Sequence, residues 1–312
     1  MINSLFSLFV FPGLFFVIFA SLAFEYADRK IHARMQNRKG PPWFQPLADM
    51  IKLLAKDSLV PEHADRTLFK LMPIVALAAA TASIMYIPLW RSSALYAFDG
   101  DLIVVFYLLT IPTMSLFLAG WSSTSLYSLI GAVRSLTQLF AYEVPFFIGL
   151  LGPCILADTW SLSGVAEYYT KTPAMMLVNV IGFAVSLTAL LGKLEKVPFD
   201  IPEAETEIVA GPLTEYSGWA LALFRLTLDV ELFVGASLLA AVFLPFGFGL
   251  PAWAAFVVYL IRLLMVVALI TLLRTLFARL RLEQMVNFCW KYLAPAALLQ
   301  LVVNLCVKMF LK

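Results

Sequence analysis

Apolar residues are grouped along this chain into long runs, which are separated by charged stretches and by Gly and Pro. A helix needs roughly 20 apolar residues to cross the hydrocarbon of a bilayer. Runs close to this length cover residues 3–24, 68–90, 102–121, 139–157, 174–192, 218–245, 252–273 and 290–310. The pattern predicts an all-α integral membrane protein of about eight transmembrane helices, in which residues 1–312 form a single transmembrane domain.

The segment 25–67, between the first two runs, is expected to be a cytoplasmic loop with short helices. Lys30, Arg34 and Arg38 recur every four residues, which places them on one helix face before Gly40 and Pro41 end it. A stripe of apolar residues then predicts a short amphipathic helix on the membrane surface. Its members are Leu47, Met50, Ile51, Leu54 and Ala55. A merely basic, lipid-facing loop is the alternative, but the length and order of the segment favour docking of a soluble partner.

The composition agrees with lipid as the solvent. Hydrophobic residues make up 62% of the chain and charged residues 13%, whereas soluble domains average about half and about a quarter. The first run lacks a basic leader and a small-residue cleavage site, so we expect a retained helix rather than a signal peptide. The net charge of +2 gives no indication of nucleic-acid binding.

Lysine and arginine are distributed unevenly among the connections, and this bias predicts the orientation. Sixteen of the 22 lie in or beside the odd-numbered loops. The even-numbered loops and the C-terminal end hold Arg91, Lys171, Lys308 and Lys312. We therefore expect a protein of the cell membrane (the inner, cytoplasmic membrane). Its odd-numbered loops would face the cytoplasm, and both termini would lie on the outer side.

Ligands for redox cofactors are scarce. The three cysteines, Cys154, Cys289 and Cys306, are far apart and form no CxxC pair. The two histidines, His32 and His63, lie in one polar segment. Haem and iron–sulfur centres need axial or clustered ligands of these types. We expect no metal or cofactor in this chain, so that electron transfer takes place in partner subunits.

Ionisable side chains inside the apolar runs are candidates for function, because charge in hydrocarbon is costly. Glu143 lies just inside the fourth run. It is either a proton-carrying group of raised pKa or a packing group paired with Arg134 or a backbone donor. The sixth run contains Arg225, Asp229 and Glu231, of which the first two are four apart and can pair. A structural ion pair is the alternative there.

The segment 193–217 is expected to be an acidic cytoplasmic loop that contains a helix. Pro202 suits a helix start and Asp200 could cap it. On such a helix Glu203 and Glu207 would share a face and repel each other, so that one would hold a proton if the site is buried. An acidic helix N-terminus in water is the alternative. The apolar residues that follow favour burial.

Five stretches between about residues 25 and 295 resemble one known family, in the right order. They read ARMQNRKGP, QPLADMIKLLAKD, GAVRSLTQLFAYEV, KVPFDIPEAETEIVAGPLTEYSG and RLRLEQMVNFCWKYLAP. These motifs are similar to those of the NuoH-type membrane subunit of respiratory complex I, whose family includes the equivalent subunit of energy-converting nickel–iron hydrogenases. The resemblance implies an eight-helix subunit that anchors a peripheral redox arm to the membrane arm.

The resemblance also implies roles for residues and partners. The resemblance gives Glu143, Glu195, Glu203, Glu205 and Glu207 as members of a proton path towards antiporter-like membrane subunits, and it places Glu215 in the turn of the EYSG motif. We count Glu215 and the ionisable residues of the sixth run, Arg225, Asp229 and Glu231, as further candidates for this path. Residues facing the peripheral arm would be Asp28, Arg34, Arg38, Gly40, Pro41, Asp49, Lys52 and Arg134. Iron–sulfur clusters and, in the hydrogenase branch, a nickel–iron site would lie in the hydrogenase-like large and small partner subunits.

Two departures from the complex I pattern bear on function. The turn 40–46 is shorter than in complex I. This short turn resembles the hydrogenase branch of the family, and it puts a quinone pocket in doubt. The AEY element of the sixth span is missing, and Asp229 or Glu231 could supply its carboxylate. We expect a non-catalytic coupling subunit of a ferredoxin-linked hydrogenase or sulfur reductase. A quinone-binding subunit is the runner-up, and a stand-alone ion permease is the alternative of another class.

Overall fold

The computed structural model describes residue 6 and residues 9–311, and within them the chain is helical and contains no β-strand. The expected all-α class is confirmed. The expected first span starts at residue 3, and its residues 3–5, 7 and 8 lie outside the described part of the chain.

Long helices are joined by short helices and turns. In chain order they are α1 (Leu14–Met35), α2 (Gln45–Leu54), α3 (Arg66–Ser83), α4 (Asp101–Ser122), α5 (Leu126–Ala157), α6 (Leu162–Lys171), α7 (Val180–Lys193), α8 (Glu205–Ile208), α9 (Gly218–Phe243), α10 (Ala252–Leu276), α11 (Leu282–Phe288) and α12 (Ala294–Leu311). Short 3₁₀ turns cover Ile84–Tyr86, Pro173–Asn179 and Gly211–Leu213, and a π-helical turn, Cys289–Leu293, joins α11 to α12.

Seven helical segments of the described chain are long and apolar enough to cross a membrane. They cover Arg66–Tyr86, Asp101–Ser122, Leu126–Ala157, Pro173–Lys193, Gly218–Phe243, Ala252–Leu276 and Leu282–Phe310. Helix α1, with 22 residues, is an eighth long helix, although its second half carries charged side chains. These helices agree with a multi-pass membrane protein of about eight spans.

The connections gather at two ends of the helix bundle. At one end, which we call the charged end, lie residues 36–65, 123–125, 194–217 and 277–281. Hydrogen bonds from Leu59 N to Ser217 Oγ (3.0 Å) and from Leu280 N to Pro198 O (3.0 Å) join them. At the opposite end, the buried Arg262 donates to the carbonyls of Leu244 (3.0 Å) and Leu89 (2.9 Å).

Helix α9 is the centre of the bundle. In the apolar 18-residue stretch of α9, 89% is buried inside the protein, whereas in the corresponding stretches of the other candidate spans 28–61% is buried. A helix that is apolar on all sides is expected to be surrounded by protein. Glu231 on α9 is 2% exposed and therefore faces other residues of this chain rather than lipid.

Two expected boundaries are wrong. Helix α1 continues to Met35 instead of ending near residue 24, so part of the segment 25–67 belongs to the bundle. Helix α5 starts at Leu126 instead of residue 139, so Arg134 lies on a helix and not in a loop. In both places the polar residues that ended the apolar run pair with polar groups inside the protein, and such pairing makes their burial tolerable.

Asp28 is the buried centre of an ion-pair cluster at the charged end. Its side chain is 0% exposed and lies 2.6 Å from Lys196 Nζ and 3.0 Å from Arg274 Nη1. Thr271 donates a further hydrogen bond of 2.5 Å. The cluster therefore joins α1, α10 and the segment 194–217. The expectation that Asp28 lies on the surface facing a partner is wrong, because this chain alone buries it.

Replacing Asp28 is expected to destabilise the fold strongly. Asp28→Ala leaves Lys196 and Arg274 without their shared counter-ion, and breaking a buried pair from one side costs about 3–5 kcal/mol. Thermal unfolding of the detergent-solubilised protein measures the loss. Glu167→Ala is the control, since Glu167 and its partner Lys171 are exposed and such pairs contribute little. Equal melting temperatures for both variants would contradict the central position of Asp28.

Candidate functional site: a charged chamber and a buried route

Charged side chains surround a cavity of about 390 Å³ at the charged end. Its walls come from α1, α2, α9, the last turns of α10 and residues 194–203. Ten of its sixteen lining residues are ionisable: Glu25, Arg29, Asp49, Glu195, Lys196, Asp200, Glu203, Arg225, Asp229 and Arg274. We call this cavity the charged chamber. Its lining is suited to ions, water and protons rather than to an apolar ligand.

Ion pairs between helices hold the chamber walls. Arg29 of α1 lies 2.8 Å from Glu25 and 2.9 Å from Asp49 of α2. Arg225 of α9 forms its ion pair with Glu203, at 3.1 Å, and not with Asp229 as the spacing suggested. Asp229 instead lines the chamber directly. The acidic groups of the segment 194–203 and of α9 therefore meet across one cavity.

Glu195 lies where the chamber meets the buried part of the bundle. Burial raises the pKa of its carboxyl group to about 8, and the nearby charges of Glu203 and Glu231 act in the same direction. Its Oε2 atom has no hydrogen-bond partner among the described residues. A carboxyl group in this position holds a proton at neutral pH and releases it when its surroundings become slightly more favourable to charge.

Two small cavities lie deeper in the bundle, and each shares a lining residue with the cavity before it. The first, of about 20 Å³, is lined by Glu195, Lys193 and Glu231, among others. The second, of about 10 Å³, is lined by Lys193, Tyr142 and Glu143, together with apolar neighbours. Each is about the size that one water molecule requires. Glu195 belongs to the chamber and to the first small cavity, and Lys193 belongs to both small cavities.

Lys193 and Glu231 form the ion pair between the small cavities. Their charged atoms lie 2.7 Å apart and both side chains are 2% exposed. The Lys193 ammonium also donates to the carbonyl oxygen of Leu109. The pair is therefore the most deeply buried charge along the route.

Glu143 ends the route near the middle of the 32-residue helix α5. Its Oε1 atom accepts a 2.6 Å hydrogen bond from Thr110. The pairing with Arg134 that the sequence left open is not formed, because Arg134 lies 2.6 Å from Glu207. Glu143 is half-buried and its neighbour Val144 is exposed, so the route reaches the outer surface of α5 within the membrane-spanning region.

The acidic segment does not form the expected helix from Pro202. Helix α8 covers only Glu205–Ile208, because tertiary contacts hold the preceding residues in turns. Glu203 is fixed by Arg225, and a Cβ on Gly211 (φ +53°) would lie 1.8 Å from the Pro202 carbonyl oxygen. The backbone at Gly211 also lies against Gly131 of α5, where a Cβ would approach it to 2.6 Å.

Glu203 and Glu207 consequently do not share a helix face. Glu207 is exposed, and the hydrogen bond from Arg134 lowers the pKa of its carboxyl group. Glu215 is half-buried beside α9 and lines neither the chamber nor the two small cavities. The side chain of Glu205 lies outside the described part of the structure. Six of the expected path residues line the charged chamber or one of the two small cavities. They are Glu143, Glu195, Glu203, Arg225, Asp229 and Glu231.

The residues expected to face a partner differ in their exposure, and one of them, Asp49, lines the chamber. Arg34, Arg38 and Lys52 are exposed, whereas Gly40, Pro41 and Asp49 are partly buried. The predicted amphipathic helix is present as α2. Its Met50 faces the chamber, and its exposed apolar residues are Leu47, Ile51 and Leu54. This surface therefore combines basic and apolar side chains.

A second cleft, of about 660 Å³, lies between α7, α10 and α11, and Lys291 is the one charged residue among its described lining residues. It does not share a residue with the charged chamber. No group of three His, Cys, Asp or Glu side chains that could hold a metal ion occurs among the residues that the structure describes.

Comparison with known proteins identifies the family. A family model described as NADH dehydrogenase matches residues 8–305. The H subunit of the NADH-quinone oxidoreductase of Carboxydothermus hydrogenoformans is 33% identical over 93% of this chain and 85% of that protein. The corresponding protein of Bacillus cereus is 34% identical over 96% of this chain and 94% of that protein. The chain belongs to this NuoH-type family.

One solved structure is also similar over nearly the whole NuoH-type chain. It belongs to the membrane-bound sulfane sulfur reductase, an archaeal respiratory membrane complex. The two chains superpose with a TM-score of 0.83 at 26% identity, and the match covers 93% of this chain and 96% of the other. The expected family is therefore confirmed by both sequence and structure.

Several chamber residues of this NuoH-type protein are not identified as site residues by sequence reasoning. Glu25, Lys196, Asp200 and Arg274 line the chamber, and Lys193 lies between the small cavities. In the sequence, lysine and arginine at these positions indicate only the membrane orientation. The available signal for Lys193 is its place at the end of an apolar run, two residues before Glu195.

Glu195 is expected to titrate near pH 8. In an infrared titration of the solubilised protein, the band of a protonated carboxyl group should disappear as the pH rises through about 8, the pKa of Glu195. Between its ordinary pKa of 4.5 and this value, the folded state holds a proton that the unfolded state has released. The contribution of Glu195 to stability therefore decreases as the pH rises through this window.

Two variants decide whether that band belongs to Glu195. Glu195→Gln should remove it, together with the associated change in stability. Glu207→Gln should leave it unchanged, because hydrogen bonding to Arg134 keeps Glu207 ionised at neutral pH. Persistence of the band in Glu195→Gln would show that another carboxyl group carries the proton.

Proposed function

We propose that this protein anchors a soluble redox arm to the membrane and couples electron transfer in that arm to ion movement. The proposal is supported above all by three cavities, each sharing a lining residue with the next, that lead from the charged chamber to Glu143. A change of charge in a docked partner next to the chamber would alter the proton affinity of Glu195. Proton transfer along the route would then change the charge of Glu143, which faces the position of a neighbouring membrane subunit.

The segment 36–65 and the end of α1 provide a surface at the charged end that is suited to docking. Basic side chains at Arg34, Arg38 and Lys52 and apolar side chains on α2 are exposed there. Interfaces of stable complexes bury apolar groups at their centre and place charged groups at the rim. In our proposal this surface binds the peripheral arm, and hydrogenase-like large and small subunits of that arm carry the iron–sulfur clusters.

The membrane partner would meet α5 at Glu143. A carboxyl group at an outer helix surface within the hydrocarbon region is costly unless a polar partner covers it. An antiporter-like subunit with ionisable groups at the same depth provides such a partner. The bias of lysine and arginine towards the charged end favours a cytoplasmic position for this end, with both termini outside the cell membrane.

The character of the chamber favours a hydrogenase or sulfur-reductase complex over a quinone reductase. Sites for apolar ligands are lined mainly by hydrophobic and aromatic side chains, whereas most residues around this chamber are ionisable. The similar solved structure comes from a sulfane sulfur reductase. The sequence relatives are named as parts of an NADH-quinone oxidoreductase, and this supports the quinone reductase as the second candidate.

Ion translocation is expected to depend on both ends of the route. Glu143→Gln and Glu195→Gln each remove a group that gains and loses a proton, while their shape and hydrogen-bonding capacity change little. The ratio of ions moved to electrons transferred should fall to a tenth or less, roughly the effect of losing a proton-transfer group. The assay uses the purified complex in proteoliposomes with a membrane-potential or pH indicator.

The control for this experiment is Glu167→Gln, since Glu167 is an exposed carboxylate at the opposite end of the bundle. It should pump like the wild type. Assembly and electron transfer should be preserved in all three variants. Wild-type pumping in both Glu143→Gln and Glu195→Gln would eliminate the route.

The electron acceptor is expected to be protons or a sulfur compound. The purified complex, supplied with reduced ferredoxin, should evolve hydrogen or reduce polysulfide and should not reduce a soluble quinone. Quinone reduction that is blocked by inhibitors of a quinone pocket would overturn this preference and favour the second candidate.

A further inference from the structure

Lys193 occupies a position that the carboxylate route does not by itself explain. Among the residues that the structure describes, it is the one that lines both small cavities. The cavity on one side contains Glu195 and Glu231, and the cavity on the other contains Glu143. A proton that passes from Glu195 to Glu143 through these cavities therefore meets the amino group of Lys193 at the point that the two cavities share.

The surroundings of Lys193 hold its amino group in place between the cavities. Glu231 lies 2.7 Å away and neutralises the charge, and the Leu109 carbonyl accepts a hydrogen bond from the ammonium group. The third N–H of the ammonium group is available to a water molecule or to Glu143 across the second cavity. Tyr142 of that cavity is linked to Thr113 of the first by a hydroxyl–hydroxyl contact of 3.2 Å.

We propose that Lys193 is an obligatory proton carrier between Glu195 and Glu143, and that its counter-ion Glu231 favours its protonation again after each transfer. This inference rests on the proposed function and names the group that acts at its centre. In the first step an N–H bond of the Lys193 ammonium breaks and an O–H bond forms on the Glu143 carboxylate, directly or through one water molecule. In the second step the neutral amine takes the proton of the Glu195 carboxyl group, which becomes a carboxylate.

The ion pair fixes the order of these two steps. Once Lys193 has lost its proton, Glu231 is a buried carboxylate without a counter-ion, which is strongly unfavourable. This cost is removed when Lys193 is protonated again from Glu195. The neutral state of Lys193 is therefore short-lived, and each proton delivered to Glu143 draws a replacement from the chamber.

A purely structural ion pair would need only a permanent cation at this position, and arginine supplies one. The arginine side chain stays protonated at every pH at which the protein can be assayed, whereas a buried lysine can release its proton. Lys193→Arg therefore separates the two roles. In the complete complex in proteoliposomes, we expect Lys193→Arg to assemble and to transfer electrons while ion translocation per electron falls about tenfold or more.

A second variant covers the case in which arginine does not fit the buried site. The double substitution Lys193→Gln with Glu231→Gln replaces the ion pair by two neutral amides that can hydrogen-bond to each other. It should assemble, since no buried charge is left unpaired, and it should also fail to translocate ions. Ion translocation at the wild-type ratio in either variant would overturn the inference.

Glu143→Gln and Glu195→Gln, measured in the same assay, separate this inference from the proposed function. If both carboxylate variants fail to pump while Lys193→Arg pumps normally, the route stands and Lys193 has a structural role only. If both carboxylate variants pump normally, the route itself is wrong. Loss of pumping in the carboxylate and the Lys193 variants, with electron transfer preserved, supports a carrier at Lys193.

Discussion

The cost of placing charge inside an apolar helix bundle determines the arrangement of this NuoH-type protein. Its most deeply buried ionic groups are compensated within the chain: Asp28 by Lys196 and Arg274, Lys193 by Glu231, and Arg262 by backbone carbonyls. Such pairs seldom add much stability compared with apolar packing, but breaking one from one side is strongly unfavourable. They fix which helices are neighbours and where polar cavities can exist.

The compensated charges are concentrated at and below the charged end. The Asp28 cluster and the Arg29 pairs position the chamber walls, and Glu195 forms the boundary between the chamber and the dry part of the bundle. Deeper in the bundle the ionisable side chains are fewer, and they line cavities that are each about the size of one water molecule. This series of environments, from many charges to single ones, is what a proton needs to enter from water and continue through a low-dielectric region.

The sequence predicted the helix class and the approximate positions of most spans, because apolar periodicity is a local signal. Charge inside the apolar runs also pointed to Glu143, Asp229 and Glu231, whose part in a proton path stays a prediction. The sequence could not predict which charged side chains form ion pairs with each other. Arg225 pairs with Glu203 rather than Asp229, and Arg134 pairs with Glu207 rather than Glu143. These choices depend on how distant segments meet, and the local helix signal at Pro202 was overridden in the same way. Lys193 was missed because a basic residue at a helix end is ordinarily explained by membrane orientation.

The Asp28 cluster has a mechanical consequence. Because one buried carboxylate ties the first long helix, the α10 helix and the 194–217 segment together, displacing one of these three walls of the chamber would break an ion pair of the cluster. A docked protein could not widen this vestibule by pulling on a single wall without exposing uncompensated charge. Information from the soluble side would then enter mainly as a change in electric field, and the scaffold would behave as a rigid frame around mobile protons.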